Sequence, residues 1–271
     1  MLSEKIKILY PILHYPPVIG GLEQWSRQIA ERQGEEAEVF IVTGRVRGER
    51  NIETKKNVVL VRTSLFALND LSHSPLFYML FAIPCIFLRS AKLARSKKVD
   101  VFHCHGFISA LVGYALSLLR KTPFVVTEQS IGWSGEILKW LRGMVYRKAF
   151  ACIGASNATL EEFRKVGVER AYVIPNGVDV EKFRRCENCA IWRKNTRDFT
   201  VLGVGRLEKV KGYHYLIEAF QKIKKEIPES RLVLVGDGSE RKNLEKESMT
   251  LGLKDSVEFL GEIAHDALPH V

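Results

Sequence analysis

Ten short, continuous apolar runs constrain this chain most. They are KIKILYPI, AEVFIV, NVVLVR, VDVFHC, PFVVTE, FACIGA and AYVIP, then FTVLGVG, RLVLVG and VEFLG, and amphipathic stretches separate them. A run that is apolar at nearly every position keeps no polar face for water. It therefore belongs in a strand covered on both sides, in a parallel sheet whose crossovers are helices. The expected class is α/β, with doubly wound sheets. Between Asp179 and Asp198 the rhythm stops and the chain turns polar and basic (DVEKFRRCENCAIWRKNTRD), as inter-domain links do. The expected organisation is a first doubly wound domain over 1–178, a linker over 179–198, and a second domain over 199–271. That second domain reads strand, helix, strand, helix, strand, and three strands make it an incomplete layer.

Length and charge narrow the function classes. At about 150 residues per domain, 271 residues give two domains, and 46% hydrophobic with 27% charged residues exclude disordered and fibrous classes. The net charge of +10 draws polyanions without choosing among nucleic acid, anionic lipid and phosphorylated small molecules. Nucleic acid ranks low because basic and aromatic residues are not interleaved into platforms. The five cysteines (Cys85, Cys104, Cys152, Cys186, Cys189) form no framework, and MLSEKIKILYPI lacks the pattern of a secretion signal. The expectation is a reduced, cytoplasmic protein. CENC offers only two of the four ligands a structural zinc needs, so Cys186 and Cys189 read as ordinary thiols. The longest apolar run, Leu76 to Leu88, is 13 residues and contains Pro84, short of the roughly 18 to 20 that cross a bilayer. Arg89, Lys92, Arg95, Lys97 and Lys98 follow it. Two readings stay open there: a peripheral contact with an anionic membrane surface, or a buried domain helix ending in solvated cations.

Four segments are candidates for chemistry. In PPVIGGLEQWSRQIAERQ, Gly20 and Gly21 enter a helix and either present backbone N–H groups to an anion or sugar, or merely connect strand to helix. In VDVFHCHG, His103 and His105 stand at the end of a strand on one face, with Cys104 on the other. Two histidines are too few for a metal centre, so the pair reads as hydrogen-bonding or structural. In VLGVGRLEKVKGYHY, Arg206 and Lys211 bracket a loop that opens a helix, where two cations and a helix N-terminus suit a diphosphate. Solvated surface cations are the alternative. The loop is no dinucleotide fingerprint, since Glu208 occupies the third glycine's place. In RLVLVGDGSER, Gly236 and Gly238 form another glycine turn at a strand's end.

Taken in order, GGLEQ, DVFHCHG, FVVTEQS, ASNATLEEFRKVG, VIPNGVD, GRLEKVKG, LVGDGSER and VEFLGEI resemble a retaining glycosyltransferase of the family 4 group with a GT-B fold. The resemblance covers nearly the whole chain, and VIPNGVD to GRLEKVKG is its most specific part. It implies two Rossmann-like domains facing across a cleft, the first for the acceptor and the second for a nucleoside-diphosphate sugar. Gly20 and Gly21 would lie beside the donor's phosphates and sugar, with Gly236 and Gly238 also on the donor side. Arg206 and Lys211 would neutralise the departing diphosphate in place of a metal ion, so no metal or other cofactor is required. His105 would be the catalytic residue that hydrogen-bonds the transferred sugar, and His103, Glu128 and Asn176 would be further cleft residues. The implied reaction moves a hexose-type sugar, with retention, onto a glycan or lipid-linked acceptor, and a leaving-phosphate oxygen helps deprotonate the acceptor.

Two departures accompany the resemblance. The family's Glu-x7-Glu element follows the segment matching VEFLGEI and would fall after residue 271, which implies a C-terminally incomplete chain with reduced turnover. The equally spaced pairs Glu23 and Glu31, Glu128 and Glu136, Glu161 and Glu169, and Glu218 and Glu226 all precede RLVLVG and are coincidences of spacing. Gln129 stands where relatives often carry histidine. A non-catalytic nucleotide-sugar or glycan-binding protein and a GT-B-fold sugar-nucleotide epimerase are the alternatives. The sugar, base, acceptor and oligomeric state are not written in one sequence.

Overall fold

A computed structural model describes residues 5–17, 20–67, 81–129, 135–183, 199–265 and 267–271. The chain divides into two compact units, 1–177 and 178–271. The first holds strands β1 (Lys7–Pro11), β2 (Glu38–Arg45), β3 (Ile52–Lys55), β4 (Val58–Ala67), β5 (Val101–His105), β6 (Phe124–Glu128), β7 (Ala151–Gly154) and β8 (Ala171–Val173). Its helices are α1 (Gly21–Glu36), α2 (Ile83–Lys97), α3 (Gly106–Arg120), α4 (Glu136–Tyr146) and α5 (Asn157–Lys165). The strands form one sheet in the order β3-β4-β2-β1-β5-β6-β7-β8.

Alternation along the strands divides the apolar runs between two cores. Leu9, Phe40, Phe102, Cys104, Val126 and Cys152 point to one face, where they pack with Ile86 and Ala94 of α2, Leu116 of α3, Val145 of α4 and Phe163 of α5. Tyr10, Val39 and Ile41 point to the other, against Ala30 of α1. Pro84 sits in the first turn of α2, where its missing N–H costs nothing. That helix buries Ile86, Ser90 and Ala94 at intervals of four and leaves Leu88 65% exposed. Leu76 to Leu80 of the long apolar run lie outside the described residues.

The sheet is not purely parallel. β3 pairs antiparallel with β4, Ile52 opposite Val61 and Lys55 opposite Val58. IETK is short, polar and at the sheet edge with three of its four residues exposed, so it carries no continuous apolar signal.

The second unit is a parallel sheet in the order β11-β10-β9, made of β9 (Thr200–Val204), β10 (Arg231–Val235) and β11 (Val257–Gly261). Helices α6 (Tyr213–Glu226) and α7 (Arg241–Thr250) connect them. Tyr213, Ile217 and Phe220 of α6 lie on one helical face and meet Leu232, Leu234 and Leu244 in the core. Of the expected linker, residues 184–198 lie outside the described residues.

Candidate active site

In the first unit the chain leaves β1 through α1 to β2 on one side, and returns at β5 on the other. The strand order therefore reverses between β1 and β5. At such a switch point the connections after the two strands depart to opposite faces and leave a crevice at the strands' carboxyl ends. Tyr10 of β1 and His103 and His105 of β5 gather there. The two imidazole rings are 4.7 Å apart, and each lies about as close to the Tyr10 ring, at 4.9 and 5.0 Å.

The two histidines have different hydrogen-bond partners. The Tyr10 hydroxyl donates to Oε1 of Gln33, so towards His103 Nδ1, 3.2 Å away, it can only accept. Nδ1 of His103 thus carries the proton, and Nε2 accepts from the Thr127 hydroxyl at 2.8 Å. Both ring nitrogens are committed, and burial pushes the pKa of His103 down to about 4. His103 is a neutral, fully satisfied interior group without a free lone pair for a metal.

His105 caps α3 and is 5% exposed. Its Nδ1 lies 2.6 Å from the Ser26 hydroxyl of α1, and the Trp25 ring lies tilted against it with centroids 4.9 Å apart. Its backbone N–H donates to the Ser109 hydroxyl at 3.1 Å, which donates in turn to the Pro11 carbonyl at 2.5 Å. Nε2 is buried without a hydrogen-bond partner among the described residues. Leaving a buried polar group unmet costs about 1–3 kcal/mol, a cost tolerated where function supplies the partner. Burial first, and His103 second, hold the His105 pKa well below the usual histidine value.

Ser26, Trp25 and Tyr10 were not among the sequence candidates. For Ser26 a signal existed, since Ser26, Ala30 and Gly34 are the buried stripe of α1 at intervals of four. A hydroxyl in a buried stripe needs a partner.

Around this centre, Gly20 precedes α1 in extended backbone (φ 178), and the Glu23 carboxylate folds over the place a Cβ on Gly20 would take. Gly21 is open, with nothing within 4 Å of a Cβ placed there. Glu128, at the end of β6, is buried and accepts from the Tyr146 hydroxyl at 2.8 Å. Burial, then the Glu128 charge, push the Tyr146 phenol well above its ordinary pKa. The Arg142 guanidinium lies 5.2 Å from the centroid of the Phe107 ring. Asn176 and Gln129 exchange two amide hydrogen bonds, at 3.0 and 2.7 Å.

In the second unit the loops after β9 and β10 lock together through backbone. Gly205 N–H donates to Val235 O and Leu207 N–H to Asp237 O, both at 2.9 Å. A Cβ on Gly236 (φ 133) would overlap the Gly205 carbonyl oxygen, and one on Gly238 would lie 2.5 Å from that of Leu207. Their N–H groups are consumed internally, Gly236 on Gly261 O at 2.7 Å and Gly238 on the Asp237 carboxylate at 2.7 Å. The Glu208 carboxylate ties the loops by accepting from the Ser239 hydroxyl at 2.8 Å and its N–H at 3.3 Å, and these bonds hold its pKa below the usual range. On this frame Arg206 and Lys211 are both exposed. Neither closes a salt bridge or side-chain hydrogen bond among the described residues. Lys211 ends a single 3-10 turn, and Gly212 (φ 68) starts α6 without a side-chain cap. Lys211 thus adjoins an uncapped helix start, while Arg206 lies on the loop before it, near enough to Glu208 to lower that carboxyl's pKa.

Comparison with known proteins meets this arrangement. A family model described as Glycosyltransferase Family 4 matches residues 19–182, and one described as Glycosyl transferases group 1 matches 185–271. The chain belongs to these glycosyltransferases. An uncharacterized glycosyltransferase of Methanocaldococcus jannaschii is 27% identical over 97% of this chain and 71% of its own length. Among solved structures, a sucrose-phosphate synthase of Thermosynechococcus elongatus superposes with a TM-score of 0.83 at 20% identity, covering 98% of this chain and 73% of that one. Anabaena HepE, solved with UDP-glucose, gives 0.72 at 22%, over 98% and 71%. The glycosyltransferase thus shares the GT-B fold of two Rossmann-like units, and it covers under three quarters of each of these proteins.

Proposed function

We propose that this glycosyltransferase moves a hexose-type sugar from a nucleoside-diphosphate sugar to a hydroxyl of a glycan or lipid-linked acceptor, retaining configuration and needing no metal. What supports the reading is that Lys211 directly precedes the uncapped start of α6 and that Arg206, on the loop leading to it, is exposed, neither closing a salt bridge among the described residues. A departing diphosphate gains charge in the transition state, and fixed cations with helix N–H groups stabilise that gain more than they stabilise the donor's ground state. The UDP-glucose bound by HepE supports a nucleotide-sugar donor.

In the other unit the unpartnered Nε2 of His105 supplies a hydrogen bond to the transferred sugar. Glu128 is engaged by Tyr146, so in this reading the acceptor's proton goes to a leaving-phosphate oxygen. The bond from the anomeric carbon to the phosphate oxygen breaks, the bond to the acceptor oxygen forms on the same face, and the proton ends on the phosphate. The outer face of α2 supports a peripheral contact with an anionic membrane carrying a lipid-linked acceptor. Leu88 is exposed there beside Arg89, Lys92 and Arg95, and residues 81–98 contain no acidic residue. Among the described residues no helix is long and apolar enough to cross a membrane.

The test is a panel of nucleotide sugars with simple glycoside acceptors in the presence of a chelator, followed by nucleoside-diphosphate release and by NMR of the anomeric proton. Release from one donor with the donor's own anomeric configuration in the product is expected. Inversion, a requirement for divalent cations, or no release from any donor overturns the reading.

A further inference from the structure

We propose that Ser26 is a positioning residue that fixes His105 as its Nε2–H tautomer, so that this imidazole offers the crevice a hydrogen-bond donor and not a base. The assignment follows from counting the polar groups that each proton arrangement leaves unmet. Ser26 is completely buried, and among the described residues its hydroxyl has one hydrogen-bond partner, His105 Nδ1 at 2.6 Å. Were the ring proton on Nδ1, it would donate to Ser26 Oγ. The serine proton would then have no acceptor among the described residues, and the bare Nε2 would be unmet as well. With the serine proton donated to Nδ1, only Nε2–H remains unmet. One buried orphan is less costly than two.

The ring cannot turn away from this choice. Tyr10, Trp25 and His103 enclose it with centroids 4.7 to 5.0 Å away, and none of them hydrogen-bonds Nε2. The titratable groups that face it, Tyr10 and His103, are both uncharged. Tyr10 is pushed far above its ordinary pKa by burial, and His103 is held down to about 4. Among the described residues, neither group favours the doubly protonated form that would erase the tautomer preference, and burial opposes it. The donor at Nε2 suits a sugar hydroxyl or a developing oxyanion, and it cannot accept a proton until it has lost its own.

The kinetic consequence rests on the proposed function, whereas the tautomer does not. The experiment is two-bond 15N–1H NMR of the histidine ring nitrogens in the labelled chain near neutral pH. The expected result is a protonated Nε2 and an acceptor-type Nδ1 for His105, with the opposite pattern for His103. A protonated Nδ1 on His105 overturns the proposal. In Ser26→Ala, the loss of the donated proton shifts His105 towards Nδ1–H or a mixture, and the transfer rate falls about tenfold in kcat with KM nearly unchanged. His105→Gln carries a fixed amide donor near the Nε2 position. In that background Ser26→Ala has no further effect on rate, and an undiminished effect of Ser26→Ala there overturns the positioning role. If no donor is turned over by any form, the transfer reading fails, and the wild-type spectrum alone still decides the tautomer.

Discussion

Nδ1 of His103 lies 3.2 Å from the Tyr10 hydroxyl, which spends its own proton on Gln33. That relationship locks a neutral imidazole into the sheet and links stability to pH. The folded pKa of His103 is about 4, against 6.5 for the ordinary group, so between those values the unfolded chain binds a proton that the folded chain refuses. Stability is full above about pH 6.5 and is lost as pH falls towards 4, by about 3 kcal/mol from this group. His105 acts in the same direction. Urea unfolding at pH 7 and pH 4.5 measures the difference, and His103→Gln shows a smaller drop than the wild type. A His103 that titrates near 6.5 by NMR contradicts the assignment.

The glycines divide into two kinds. Gly236→Ala forces a Cβ onto the Gly205 carbonyl at φ 133, and we expect a loss of about 3 kcal/mol or more in the second unit. Gly238→Ala meets the Leu207 carbonyl and loses stability as well. Gly21→Ala meets nothing within 4 Å, so stability stays within about 1 kcal/mol of wild type. If the donor approaches Gly21 closely, its affinity falls while the melting temperature holds. Calorimetric melting of the three variants separates the two kinds.

The ten apolar runs made the strands legible, because a parallel strand leaves its mark in its own residues, although β9 is not covered on both sides as expected, with Leu202 and Val204 exposed. Ile52–Lys55 was not legible, since an exposed polar edge strand is specified by its partner β4. His103 and His105 stand at the end of β5 as expected, yet the partners that distinguish them are Gln33 through Tyr10, Thr127 and Ser26. Ser26 is 79 residues away from His105, and spacing along one strand carries no trace of such a partner. Gly236 and Gly238 announced a turn. That the Gly236 N–H is spent on Gly261 O, 25 residues further on, and that both glycines lie against the carbonyls of the loop after β9, follow from packing between distant segments and leave no mark in the turn itself.

Glu128 and Tyr146 form a buried carboxylate–phenol pair at 2.8 Å. Tyr146→Phe removes a donor from a buried charge, and we expect it to cost about 1–3 kcal/mol. Chemical denaturation measures the loss, and a stability equal to wild type contradicts the pairing.

The face of α2 is tested with sedimenting vesicles of phosphatidylglycerol or phosphatidylcholine. Near an anionic surface each cation contributes about 1 kcal/mol, so Arg89→Ala with Lys92→Ala weakens binding to the anionic vesicles roughly 25-fold. Salt weakens it too. Equal binding to both lipids contradicts a membrane contact of this kind.

Arg206 and Lys211 are proposed to hold the diphosphate of a sugar nucleotide. Calorimetric titration with UDP-, ADP- and GDP-sugars, comparing the wild type with Arg206→Ala plus Lys211→Ala, tests it most directly. Hydrogen bonds to charged groups contribute about 1.5–3 kcal/mol each, so the account predicts one donor that binds the wild type and binds the double variant at least about 100-fold more weakly. A sugar nucleotide that binds both forms equally well would contradict it.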